Sequence, residues 1–84
     1  MKPNEKARKQ ILQIVENQLR QNDPPETKTT LERLMRSGYD NRDAKILIGQ
    51  CVAVEIFNIF KKKTPFDNDR YVKNLSNLPK DPTE

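Results

Sequence analysis

Apolar residues recur along this chain with the period of a helix, and in one stretch they cover the whole helix surface. From Ala44 to Phe60, 12 of 17 residues are apolar; the others are Lys45, Gly49, Gln50, Glu55 and Asn58. At about 100° per residue these five scatter around the wheel, and a helix apolar all round is expected to be buried on most sides. The pattern predicts one central helix, wrapped by the rest of the chain and by a second copy.

Three weaker patterns surround it. Ala7, Ile11, Ile14, Val15 and Leu19 mark one face of a first helix over 4–21, with Leu12 widening the stripe and Asn4 as a candidate N-cap. Asp23-Pro24-Pro25-Glu26 predicts the next helix start: Asp23 as cap, Pro24 at the first position, Glu26 closing a capping box. This second helix runs to about Ser37, with Leu31, Leu34 and Met35 inward and Gly38 ending it. Tyr39-Asp40 opens the third helix, with Asp43 in its first turn, Tyr39 stapling onto Ala44, and Lys61, Lys62 and Lys63 closing it. Pro65 blocks continuation, and Phe66-Asp67 repeats the same opening for a short fourth helix. There Tyr71, Val72, Leu75 and Leu78 point inward. Nothing alternates with period two. The fold class is all-α: a small four-helix bundle around a long apolar third helix, one domain over 1–78. The polar tail 79–84 is expected to be disordered.

Composition explains why a partner is expected. Over 84 residues, apolar and charged residues each make up 33%, with a mean hydropathy of -0.97. A core this lean gains much from oligomerisation. The net charge of +4 is uneven: 1–20 and 41–63 each carry +3, while 21–40 and 64–84 each carry -1. The excess sits at Lys2, Lys6, Arg8 and Lys9 and at Lys61, Lys62 and Lys63. Lys6, Lys9, Lys61, Lys62 and Lys63 are therefore candidate polyanion contacts. Aromatics do not alternate with these lysines in sequence, which argues against a base-stacking platform. A helix-turn-helix needs an exposed recognition helix, and the third helix here is the most apolar.

Candidate chemistry is sparse. With no His, the usual general base and the most usual transition-metal ligand are missing. Cys51 is alone, so no intrachain disulfide forms. The two glycines, Gly38 and Gly49, make no phosphate loop. No catalytic, cofactor or metal residue is assigned, and an enzyme is not expected. The first residues carry charge without the apolar run of a signal peptide, and the third helix is too short and too interrupted to span a bilayer. The chain is expected to be soluble and cytoplasmic. Glu55 is the odd residue of the third helix. Among Ala44, Ile48, Cys51 and Ile59 it needs a partner, from Arg33, Arg36, Arg70, Lys62 or Tyr71.

Pro24-Pro25-Glu26, Thr30-Leu31, Arg33-Leu34, Gly38-Tyr39, Ala44, Ile48, Glu55-Ile56, Pro65-Phe66, Tyr71 and Leu78-Pro79 together resemble a family of small bacterial all-helical proteins. The likeness covers about two-thirds of the chain. It implies a fold and brings no activity or catalytic residue. A slighter likeness to ubiquitin-associated helical modules rests on Leu34, Gly38-Tyr39 and Ala44; the third helix here is too long and apolar for that module.

The expected function is protein association through the third helix. Leu47, Val54 and Phe57 share an arc with Gln50 and Asn58. If the other helices cover the opposite arc, these residues meet a second copy in a homodimer. Gly49, with Ala53 one turn on, allows close approach of a backbone, from the first or fourth helix or from the partner. The alternative is a nucleic-acid accessory protein using the basic ends of the first and third helices.

Overall fold

A computed structural model describes residues 5–82. Four helices follow one another: α1 Glu5–Gln21, α2 Pro25–Arg36, α3 Asn41–Lys62 and α4 Asn68–Asn77, with no strand among the described residues. The Asn4 cap and the end of the tail, Thr83 and Glu84, lie outside the described residues.

The helix boundaries follow from local chemistry. Gly38, at φ 110°, ends α2: its N–H reaches the Met35 carbonyl, and the Tyr39 N–H reaches that of Leu34. This is the paired closure that satisfies a helix's last carbonyls. Asn22, at φ 52°, closes α1 in the same way through Leu19 and Gln18. Asp40 caps α3 by accepting from the Asp43 N–H at 2.7 Å. Asp67 caps α4 by accepting from the Arg70 N–H at 3.0 Å. Ahead of that cap, Phe66 packs edge-on against Tyr71 with ring centroids 5.3 Å apart, completing the expected staple.

The start of α2 differs from expectation. Pro24 sits at the cap position in extended backbone, and no side chain caps the helix. The reason is Pro25: a residue before proline is pushed out of the helical region, so Pro24 cannot be helical. Pro25 becomes the first helical residue, and Asp23 and Glu26 each fall one position short of the predicted capping box.

Val15, Leu34, Ala44, Ile48, Cys51, Val52, Tyr71, Leu75 and Leu78 form the core. α3 packs on α1, α2 and α4, but α2 also touches all three others, so the centre is shared. The predicted burial of α3 on most sides is not met. Ala44, Ile48, Cys51, Val52, Glu55 and Asn58 are buried on one side. Phe57 and Phe60 stay 43% and 73% exposed on the other. The neighbours are too few and too short: α3 has 22 residues, against 17, 12 and 10 for the others.

Candidate functional site

The uncovered side of α3 is continuous. Ile46, Gln50, Ala53, Phe57 and Phe60 recur at spacings of four, three, four and three residues. That spacing keeps all five on one narrow stripe of a helix. Gln50, Phe57 and Phe60 are exposed; Ile46 and Ala53 are half-buried. Leu47 and Val54 border the stripe, half-buried as well, with Leu47 leaning on the core.

Of the residues assigned to the interface from sequence, Leu47, Gln50, Val54 and Phe57 lie on this side. Gly49 and Asn58 do not. Gly49 is buried against α1, where a Cβ would stand 3.1 Å from Ile11 Cγ2. Its close approach is therefore to the chain's own first helix. Asn58 is buried, its amide donating to the Val54 carbonyl at 2.9 Å, and its Oδ1 has no partner. Ile46, Ala53 and Phe60 belong to the stripe and escaped the sequence reading; the four-three spacing was the signal that could have found them.

Beside the stripe, α1 and α3 leave a groove of about 460 Å³, lined by Ala7, Arg8, Ile11, Leu12, Ile46, Gly49, Gln50 and Ala53. The two helices run antiparallel, because Gly49 meets Ile11 while Lys45 pairs with Glu16 at 3.0 Å. Hence the start of α1, with Lys6 and Lys9, lies toward the end of α3, with Lys61, Lys62 and Lys63; all five are exposed. One aromatic does meet a lysine, one turn away on the same helix. Lys61 Nζ stands 5.2 Å from the centre of the Phe57 ring, and Phe60 and Phe66 are exposed nearby in sequence.

Apart from Asn58 Oδ1, the chain itself holds the buried polar groups described next. Glu55 is fully buried; Oε2 accepts from Arg70 Nε at 2.6 Å and Oε1 from Arg70 Nη2 at 2.9 Å. Oε1 also takes the Asp67 backbone N–H at 2.8 Å, at the cap of α4. Arg70 is thus the partner among those the sequence offered. The hydrogen bond to Glu55 pushes the Arg70 guanidinium further toward its charged form. Tyr71 Oη donates to Gln18 Oε1 at 2.6 Å, and Thr27 Oγ1 donates to the same oxygen at 2.8 Å. Burial pushes the Tyr71 hydroxyl up to about 12, and burial with the Glu55 charge nearby pushes the Cys51 thiol to about 12. Cys51 is held as a neutral, enclosed thiol, the opposite of a reactive nucleophile. No group of three or more metal-ligating side chains comes together among the described residues, and no described helix is long and apolar enough to cross a membrane.

Searched against family models, curated proteins and solved structures, the chain matches none of them.

Proposed function

We propose that this chain is a four-helix bundle of the cytoplasm that works by protein association, pairing with a second copy through α3. The single observation that carries the reading is the uncovered stripe. A helix this apolar, with Phe60 73% exposed and Phe57 43% exposed, leaves contiguous hydrophobic surface of the kind that marks an interface. The stripe spacing is the one helices use to pack along each other. The test is sedimentation from low to high micromolar protein, at low and high salt. Association should grow with concentration and change little with salt, and Phe60→Glu should abolish it. A strictly monomeric species at high micromolar concentration overturns the proposal.

A second reading rests on a different observation. Lys61, Lys62 and Lys63 end α3 next to the exposed Phe60, with Phe66 exposed a few residues on, and the start of α1 with Lys6 points toward that end. Cations beside exposed rings suit a single-stranded nucleic acid. Binding of mixed single-stranded DNA or RNA that weakens steeply with salt, by a monomer, would favour it over the first.

A further inference from the structure

The last helix is fastened differently from the others, and we infer that α4 is a lid: it lifts off Cys51 and closes again while α1, α2 and α3 stay folded. The lid lies on the buried side of α3, away from the bare stripe. The inference therefore goes beyond pairing through α3 and does not depend on it.

The first argument is how α4 is held. A polar side chain from each of the other helices reaches it. Glu55 of α3 holds its start, accepting from the Arg70 guanidinium and from the Asp67 N–H. Arg33 of α2 holds its end, donating to the Leu75 carbonyl at 2.9 Å and the Leu78 carbonyl at 3.0 Å. Between them, Gln18 of α1 accepts from the Tyr71 hydroxyl. Such bonds fix a position, but they return little net free energy, because water offers the same groups equivalent partners. By contrast, α1 meets α3 closely through Ile11 on Gly49.

The second argument is what α4 is alone and what remains without it. It has ten residues, among them Asn68, Asn74, Ser76 and Asn77, which are weak helix formers. A helix this short does not stand alone in water. Every residue from Ile59 to Asp69 is exposed, so the connection to α3 is free of buried anchors. When α4 lifts, Tyr71, Leu75 and Leu78 leave the core, while Val15, Leu34, Ala44, Ile48, Cys51 and Val52 remain on helices that still pack on one another. Cys51 lies one turn before Glu55 on the same side of α3, buried and next to Tyr71. Lifting the lid uncovers this thiol and the apolar cleft around it. Local opening of this kind draws on the least stable unit of a fold.

Cys51 is the chain's one cysteine, so it reports the lid directly. The native protein is labelled with N-ethylmaleimide at low micromolar concentration, over a range in which the rate grows linearly with reagent. Its rate relative to that of a short peptide spanning Cys51 gives the opening constant, and urea unfolding gives the global one. Opening should exceed global unfolding by about tenfold or more and should depend only weakly on urea. Equal constants with the same urea dependence overturn the lid. Two kinds of variant separate α4 from the rest. Glu55→Gln loosens the start of α4 and should raise the labelling rate about 5- to 150-fold. Arg33→Gln loosens its end and should act in the same direction, so the result does not hang on one variant. Ile11→Ala weakens α1 on α3; it should lower global stability and leave the opening constant unchanged, because Ile11 stays packed whether α4 is closed or lifted. Labelling that rises with global unfolding in Ile11→Ala, or that ignores both latch variants, overturns the inference.

Discussion

At the scale of single residues, Glu55 is the hinge of the lower half of the molecule. One buried carboxylate holds both the Arg70 side chain and the Asp67 backbone N–H, tying α3 to the first turn of α4. Glu55→Gln keeps the shape but loses the charge assistance, a loss of about 1–3 kcal/mol in thermal or chemical unfolding. Arg70→Leu should lower the melting temperature further than Glu55→Gln, because it leaves the carboxylate buried and uncompensated. The reverse ranking would mean that Glu55 gains its stability from the backbone contact alone. Tyr71 and Cys51 set the alkaline limit. Folding raises Tyr71 from 10.0 to about 12 and Cys51 from 9.0 to about 12, chiefly by burial. Above pH 9 to 10 the unfolded chain releases protons that the folded chain keeps, so stability is complete below that range and falls as pH rises toward 12. Melting temperatures followed from pH 8 to pH 11 should turn down above pH 9, and the fall should be shallower in Tyr71→Phe, where only Cys51 contributes. A parallel decline in both proteins would remove Tyr71 from the account.

At the scale of elements, caps decide where the helices begin and how well they hold. Asp40→Ala and Asp67→Ala should each cost about 1 kcal/mol, since each side chain accepts from the third helical N–H. Asp23→Ala should cost far less, because α2 has no side-chain cap to lose. Equal losses in all three would place Asp23 at the cap after all. Lys63 ends α3 in the left-handed region at φ 57°, a conformation that a side chain with a Cβ resists. Lys63→Gly should therefore be neutral or stabilising, by up to about 1 kcal/mol, measured by urea unfolding. A clear loss would show that the lysine charge at the helix end outweighs the backbone strain. These ends also show what was legible in the sequence. The starts of α3 and α4, the glycine after α2 and the aromatic staple of α4 follow from residues within one turn of each other, so the chain announces them. The start of α2 was misread by one residue because Pro24 and Pro25 compete for the same position, and the rule for the residue before proline decides between them.

At the scale of the whole molecule, what cannot be read locally is which side of α3 stays bare. The wheel shows Ile46, Ala53 and Phe60 as apolar, like Ile48 and Val52, and nothing in their own chemistry separates the two sets. The difference arises because α1, α2 and α4 pack against one side and leave the other, which is a property of three loops and three helix lengths. Asn58 shares the wheel arc of Gln50 and yet is buried, and Gly49 allows a close approach that α1 of the same chain takes up. Strength of association follows from the area that is left. Burying a phenylalanine from full exposure is worth about 1.5–3 kcal/mol, and a symmetric pair buries four, two of them already half-covered. Phe60→Ser should then weaken association more than Phe57→Ser, because Phe60 has 73% of its surface to bury against 43% for Phe57. Both should leave the melting temperature of the dilute monomer nearly unchanged, since neither side chain belongs to the core. By contrast, Leu34→Ala, at a fully buried core position, should cost about 2–5 kcal/mol in the monomer itself. Sedimentation of the two serine variants, beside their melting curves at low concentration, separates the alternatives. If either lowers the monomer's melting temperature as Leu34→Ala does, the stripe is part of the chain's own fold and is not a surface held open for a partner.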